Sequence, residues 1–141
     1  MEDSLKLQNQ LCFPLYAASK EVIRKYKPIL EKLDLTYTQY ITMLVLWEKS
    51  NINVKTLGEM LLLDSGTLTP VLNKLEYKNY IKKITNDKDK RNLVIEITDE
   101  GRALKERAIS VPTEIGKCIN LTREESIELY KLLYKMLGEF R

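Results

Sequence analysis

The segment Asp64–Asn79, DSGTLTPVLNKLEYKN, decides how the rest of the chain is interpreted. Placed on a helix at about 100° per residue, it divides into an apolar face and a polar face. The apolar face, expected to pack on a core, consists of Leu68, Val71, Leu72 and Leu75. The polar face consists of Gly66, Thr67, Thr69, Pro70, Asn73, Lys74 and Tyr77. Short hydroxyl and amide side chains near a helix N-terminus can approach phosphates and base edges closely. An ordinary solvent-exposed helix with some threonines has the same residue pattern.

The residues that follow this helix predict a basic β-hairpin. Two segments are short strand candidates, Tyr80–Thr85 and Asn92–Ile97. In the second, successive side chains would lie alternately on the two faces of a strand. The segment between them is polar and rich in turn-forming residues. From Lys78 to Arg91 six basic residues stand against two acidic ones, a local charge of +4 in a chain whose net charge is only +3. A basic hairpin directly after such a helix indicates the wing of a winged helix.

Two patterns upstream complete a helix-turn-helix. Thr36 and Gln39 form a capping-box pattern that opens a helix to about Lys49. Asn53 is the predicted N-cap of a short helix, Val54 to Leu62. The residues of that helix expected to face inward are Leu57, Met60 and Leu61. Two short helices joined by a tight turn, the second with a polar outer face, are typical of this DNA-binding motif.

The outer parts of the chain predict helices with more apolar surface than a small core needs. Residues 5–32 predict one long helix, in which Pro14 indicates either a kink or a regular part that begins beside it. Thr98 caps a helix that runs to about Val111, and Thr122 opens a final one. The predicted fold is therefore mainly α with a small β-hairpin. It is a single winged helix-turn-helix domain whose N- and C-terminal helices form a dimer interface.

Composition restricts the class of protein. A length of 141 residues, with 44% apolar and 30% charged residues, is typical of one globular domain. No apolar run reaches membrane-spanning length and no signal-peptide pattern is present, so we expect a cytoplasmic protein that contacts no membrane. Two widely spaced cysteines do not form a disulfide scaffold. The lack of histidine excludes Ser-His and Cys-His catalysis and the usual zinc sites, and no cofactor or metal is expected.

Three segments, taken together, carry a family resemblance. They are QLCF (10–13) with LYAAS (15–19) and YKP (26–28), LTYTQY (35–40) with LVLWE (44–48), and LDSGTLTP (63–70) with KLE (74–76). In the wing, DKR (89–91) followed by TDEG (98–101) completes the pattern. Essentially the whole chain thereby resembles the MarR-type transcriptional regulators, and within them the organic hydroperoxide resistance repressors (OhrR-like).

The resemblance implies a transcriptional repressor, not an enzyme, that binds an inverted-repeat operator in double-stranded DNA as a homodimer. Residues 1–35 and 112–141 are then expected to be dimerisation helices, and residues 53–98 the DNA-binding helix-turn-helix and wing. The DNA contacts are expected from Ser65, Gly66, Thr67, Thr69, Asn73, Lys74, Lys88, Asp89, Lys90 and Arg91. Asp89 is expected to orient Arg91 or to form a purely structural ion pair with it, and both roles are compatible.

The resemblance also implies a redox sensor at Cys12, whose oxidation by organic hydroperoxides releases the dimer from DNA. The phenols that hydrogen-bond the thiolate match Tyr16, Tyr26 and Tyr37. Because Tyr26 follows Cys12 by fourteen residues, roughly 21 Å along one helix, it can reach only the partner's thiol. Cys118 is a candidate resolving cysteine; in the alternative a small thiol completes oxidation and Cys118 is a buried free thiol. Pro14 departs from the family pattern beside Cys12.

Two other functions are compatible with parts of this pattern. A MarR-type repressor that answers a small phenolic or drug-like ligand has the same fold, with Cys12 as an inert core residue. A peroxide-scavenging enzyme requires a recycling partner and many turnovers, and a wing serves no purpose in it. Peroxide consumption separates sensor from enzyme, since a sensor consumes one equivalent per thiol and stops.

Overall fold

A computed structural model describes residues 2–86 and 89–138, apart from the side chains of residues 2, 86 and 89–92. Within these residues the helices are α1 Cys12–Glu31, α2 Tyr37–Lys49, α3 Val54–Leu61, α4 Ser65–Tyr77, α5 Asp99–Ala108, α6 Val111–Gly116 and α7 Arg123–Gly138. The strands β1 Asn51–Asn53, β2 Ile81–Asn86 and β3 Asp89–Ile97 form one antiparallel sheet in the order β1-β3-β2. The predicted class, mainly helical with a small hairpin, is confirmed.

The first long helix begins later than predicted. Two short 3-10 turns, Glu2–Leu5 and Leu7–Asn9, precede it, so the helix starts at Cys12 rather than at residue 5. Pro14 is consequently the third residue of α1, where a backbone N–H has no partner inside the helix. The second of the two alternatives for Pro14 is therefore confirmed.

The predicted caps form and fix where α2 and α3 begin. The Oγ1 of Thr36 accepts from the N–H of Gln39 at 3.4 Å, and the Oε1 of Gln39 accepts from the N–H of Thr36 at 3.2 Å. The Oδ1 of Asn53 accepts from the N–H of Lys55 at 2.8 Å. The prediction that Met60 faces inward is wrong, because 46% of this residue is exposed. On α3 only Leu57 is fully buried.

The strand β1 was not predicted. Its three residues pair with β3, with Ile52 opposite Ile95 and Asn51 opposite Glu96. A strand this short, flanked by asparagines, has no periodicity of its own and is formed by pairing with β3. Because β1 leads directly into α3, this pairing fixes the helix-turn-helix on the sheet.

The two faces of α4 separate as predicted. Asp64 caps this helix, its Oδ1 accepting from the N–H of Thr67 at 2.8 Å. The four apolar residues are all buried in the core, at exposures of 7% or less: Leu68, Val71, Leu72 and Leu75. We call α4 the recognition helix from here on, since it is the second helix of the helix-turn-helix.

The hairpin and the helix after it close the core. The side chains of Ile81, Ile95 and Ile97 are buried, so one face of the sheet packs inward. Strand β3 begins at Asp89, three residues before the predicted Asn92, because its pairing with β2 extends to Asn86. The predicted cap of α5 forms, with Oγ1 of Thr98 accepting from the N–H of Gly101 at 3.0 Å.

The C-terminal part contains one helix more than predicted. The helix α5 ends at Ala108 rather than near Val111, and Val111 instead begins α6 with Pro112 as its second residue. The last helix, α7, opens with the predicted capping box, in which Thr122 and Glu125 exchange hydrogen bonds of 2.8 and 3.1 Å.

Large apolar side chains stay exposed on α1 and α7 in the single chain. None of the described residues of α7 is buried, and the first half of α1 is open as well. The exposed apolar residues of these two helices include Phe13, Leu15, Tyr16, Ile23, Ile127, Leu129, Tyr130, Leu132, Tyr134 and Met136. No described helix is both long and apolar enough to span a membrane.

Candidate sensor and nucleic-acid interface

The polar face of the recognition helix is exposed and continuous. Its residues include the first turn of the helix, where backbone N–H groups have no intrahelical partner. The predicted DNA contacts on this face are all exposed, namely Ser65, Gly66, Thr67, Thr69, Asn73 and Lys74. This part of the predicted site is brought together on one surface.

The side chains of all four predicted wing contacts lie outside the described part of the structure. Lys88 lies outside the described residues. Asp89, Lys90 and Arg91 lie in β3, where the backbone alone is described, so their contacts and the pairing of Asp89 with Arg91 stay predictions.

The predicted sensor cysteine is the first residue of α1. Cys12 is exposed and has a free thiol, and the positive end of the helix dipole lies at this position. Tyr16 follows one turn later and is 60% exposed, with the ammonium group of Lys20 5.1 Å from its ring centroid. Both side chains therefore face outward in the single chain.

The other two predicted phenols belong to an aromatic cluster at the far end of α1. The ring centroid of Tyr26 lies 4.8 Å from that of Tyr37 and 5.9 Å from that of Tyr40. Tyr40 also packs edge-on against Trp47 at 6.4 Å. The indole N–H of Trp47 donates to the carbonyl oxygen of Gly101 at 2.8 Å, which connects the cluster to α5.

Burial disfavours the charged form of these two phenols. Burial, followed by the influence of Tyr37 and Tyr40, raises the pKa of Tyr26 to about 12. Burial also raises the pKa of Tyr37, with Tyr134 of α7 as the second cause. A phenol that stays protonated at neutral pH is a hydrogen-bond donor, which is the form that an anion such as a thiolate requires.

One chain does not bring the thiol to these two phenols. Cys12 and Tyr26 are fourteen residues apart on the same continuous helix, a rise of about 21 Å. Tyr16 alone among the predicted phenols lies one turn from Cys12.

The second cysteine lies directly after α6. Cys118 is exposed, and its Sγ lies 3.6 Å from the carbonyl oxygen of Glu114. In the single chain it is therefore not the buried thiol of the alternative interpretation. Among the described residues no cluster of acidic and cysteine side chains has the arrangement of a metal site.

Comparison with known proteins identifies the family. Residues 24–108 match the family described as transcriptional regulator SarA/Rot. The chain is 44% identical over 135 residues to the organic hydroperoxide resistance transcriptional regulator of Bacillus subtilis (strain 168), which covers 96% of this chain and 92% of the relative. The chain belongs to the organic hydroperoxide resistance group of MarR-type transcriptional regulators.

Solved structures of AbfR, a protein of Staphylococcus epidermidis, share the fold of this MarR-type regulator. Reduced AbfR bound to DNA has a TM-score of 0.78 and 33% identity, covering 99% of this chain and 97% of that one. Disulfide-formed AbfR has a TM-score of 0.68 and 32% identity, covering 99% and 95%. The backbone of this chain is thus more similar to DNA-bound AbfR than to disulfide-formed AbfR, whether the DNA-bound form is reduced or overoxidised.

Three residues at these sites of the MarR-type regulator were not predicted. Tyr40 and Trp47 complete the aromatic cluster, and their spacing of seven residues on one face of α2 was the available signal. Lys83 contacts the recognition helix: its Nζ donates to Oδ1 of Asn73, and its backbone N–H donates to Oε2 of Glu76 at 3.2 Å. The signal for Lys83 was a charged residue at an inward position of β2.

Proposed function

We propose that this MarR-type regulator represses transcription as a homodimer bound to an inverted-repeat operator, and that oxidation of Cys12 by organic hydroperoxides releases it. The observation that carries the proposal is the separation of Cys12 from the protonated phenols of Tyr26 and Tyr37 along one helix. An antiparallel α1 from a second chain brings each thiol to the partner's phenols. The exposed apolar faces of α1 and α7 supply a surface for that second chain.

DNA binding rests on the recognition helix and the hairpin. In each protomer the exposed polar face of α4 enters a major groove, and Lys88, Lys90 and Arg91 of the wing approach the phosphates and the adjacent minor groove. Residues 53–98 form this unit, while residues 1–35 and 112–141 hold the dimer together. Two-fold symmetry then places the half-sites about one helical turn of DNA apart, roughly 34–36 Å.

The redox step is the attack of the Cys12 thiolate on the peroxide. Its sulfur bonds to the terminal oxygen of ROOH, the O–O bond breaks, and the leaving alkoxide takes a proton to become ROH. The sulfenic acid on Cys12 then condenses with a second thiol, which forms a disulfide and releases water. Apolar residues of α1 such as Phe13 and Leu15 near the thiol favour organic hydroperoxides over hydrogen peroxide.

Cys118 of the partner is our choice for the second thiol, with a small external thiol as the alternative. Its exposure in the single chain and the existence of a disulfide form of AbfR support this choice. Oxidised protein should then migrate as a covalent dimer on a non-reducing gel, and Cys118→Ser should not. A covalent dimer that persists in Cys118→Ser contradicts the resolving role.

This regulator is proposed to act as a sensor and not as an enzyme, in the cytoplasm where the DNA lies. Peroxide consumption by the purified dimer, without a recycling partner, should stop near one equivalent per Cys12. Sustained turnover contradicts this part of the proposal.

The deciding experiment measures operator binding of the purified dimer before and after cumene hydroperoxide, with and without reductant. The reduced dimer should bind, the oxidised dimer should not, and reductant should restore binding. Cys12→Ser should bind and stay bound after peroxide, under conditions that release the unsubstituted dimer. Release of Cys12→Ser by peroxide contradicts the assignment of the sensor.

A further inference from the structure

Lys83 occupies a position in β2 where the strand pattern calls for an apolar residue. Its side chain lies on the same sheet face as buried Ile81, two residues earlier, while exposed Lys82 points to the opposite face. Only 22% of the Lys83 side chain is exposed. The aliphatic stem of Lys83 therefore covers part of the hairpin–helix junction, and its ammonium group ends at the recognition helix.

Two acceptors on neighbouring turns of the recognition helix hold this ammonium group. Asn73 and Glu76 are three residues apart and share one face of the helix. The Nζ of Lys83 donates to Oδ1 of Asn73 and lies 3.9 Å from Oε1 of Glu76. The backbone N–H of Lys83 donates to Oε2 of Glu76 at 3.2 Å, so the carboxylate holds the lysine against the recognition helix.

This contact decides which end of the Asn73 amide faces outward. An ammonium group has three donors and no acceptor, so the carbonyl oxygen of Asn73, and not its NH₂ group, must face Lys83. Asn73 itself is exposed on the polar face of the recognition helix. Its NH₂ group is therefore the polar group directed away from Lys83.

We propose that Lys83 is a positioning residue for DNA recognition, holding the amide of Asn73 so that its NH₂ group donates to a base edge. This inference rests on the proposed function. In the major groove a donor finds an acceptor on guanine, adenine and thymine, whereas cytosine presents a donor. The base that faces Asn73 in each half-site is therefore expected to be any base other than cytosine.

The test compares base preference, which a purely structural lysine does not control. The reduced dimer and its Lys83→Met variant each select sites from a library of randomised duplexes, and their affinities for single-base variants of the selected site are measured by fluorescence anisotropy. The unsubstituted protein should discriminate at least about fivefold against cytosine at one position in each half-site. In Lys83→Met the amide is free to turn its oxygen outward, and the discrimination should fall to about twofold or less.

Three further variants distinguish positioning of the Asn73 amide from two other effects of Lys83→Met, the loss of a positive charge and a change in the stability of the fold. Lys82→Met removes the same charge from the opposite face of β2 and should leave base preference unchanged. Lys83→Arg keeps a donor for Oδ1 of Asn73 and should keep the discrimination. In an Asn73→Ala background the discrimination against cytosine should be lost, and adding Lys83→Met should change it no further.

The outcomes distinguish this inference from the proposed function. Selection of no common sequence by the unsubstituted dimer contradicts the proposed function and the inference with it. A common sequence bound with the same preference by the unsubstituted protein and by Lys83→Met overturns only the role of Lys83. Equal effects of Lys82→Met and Lys83→Met on base preference also overturn it.

Discussion

The ammonium group of Lys78, the residue after the recognition helix, lies 3.0 Å from Oε1 of Gln39 in the capping box of α2. Lys78 also donates to the carbonyl oxygen of Asp34 and lies 3.6 Å from its carboxylate. These contacts connect the end of the recognition helix to the corner between α1 and α2. Tyr37, which contacts Tyr26, is the first residue of α2 at that corner. A movement of these two phenols would therefore displace the start of α2, to which Lys78 connects the recognition helix.

Lys78→Met should lower the free energy of unfolding by about 1–3 kcal/mol, because Gln39 and the carbonyl of Asp34 lose a charged donor. Urea unfolding at one fixed protein concentration measures this, since a dimer's stability depends on concentration. Lys82→Met, an exposed lysine in the same hairpin, is the control and should change the free energy by no more than about 0.5 kcal/mol. Superimposable curves for the two variants contradict the role of Lys78.

Stability should fall as pH rises from about 10 to about 12. Burial raises the pKa of Tyr26 from 10.0 to about 12, so in this range the unfolded chain loses the proton that the folded chain keeps. The stabilisation is fully present below pH 10 and disappears as pH passes about 12. The thermal midpoint of the unsubstituted protein should therefore decline more steeply with pH than that of Tyr26→Phe. Parallel declines contradict the assignment to Tyr26.

A mixed dimer tests whether each sensor is built from two chains. One chain carries Cys12→Ser and the other Tyr26→Phe, both in a Cys118→Ser background, so the remaining thiol at position 12 faces an intact Tyr26 only across the dimer. Its oxidation by cumene hydroperoxide, followed by thiol titration, should match the unsubstituted rate. The Tyr26→Phe homodimer should be about tenfold slower or more, because the thiolate loses a hydrogen bond. A mixed dimer as slow as that homodimer indicates a site within one chain.

Gly101→Ala should destabilise the fold severely. A Cβ at this position overlaps the carbonyl oxygen of Tyr80 and lies only 2.7 Å from Cγ1 of Ile97. Backbone atoms cannot rotate away, so we expect a cost at the upper end of overpacking, about 3 kcal/mol in urea unfolding. Gly116→Ala, whose Cβ meets nothing within 4 Å, is the helical glycine control and should be neutral or stabilising. Equal stability of the two variants contradicts the close approach at Gly101.

Elements that depend on neighbouring residues could be predicted from the sequence. Thr36, Asn53, Thr98 and Thr122 each cap the helix that their pattern predicts. Each cap joins a side chain to a backbone N–H two or three residues away, so its information is local. The amphipathic recognition helix is predictable for the same reason, since its periodicity lies within one segment.

Elements that depend on distant partners could not be predicted in this way. The strand β1 exists through its pairing with Ile95 and Glu96, more than forty residues later. Met60 has an apolar side chain, but its position on α3 lies outside the core, which the residue type alone does not reveal. The contact of Lys83 with Asn73 requires knowing how the hairpin folds back on the recognition helix. The separation of Cys12 from Tyr26 was predictable because both belong to one helix.

The open surfaces of α1 and α7 have a consequence for gene dosage. If chains become stable only on pairing, then at low expression the amount of working regulator follows the square of the copy number. Halving synthesis then leaves about a quarter of the assembled pairs. Under that condition, a cell that makes few copies would repress its target genes only weakly before any oxidant arrives.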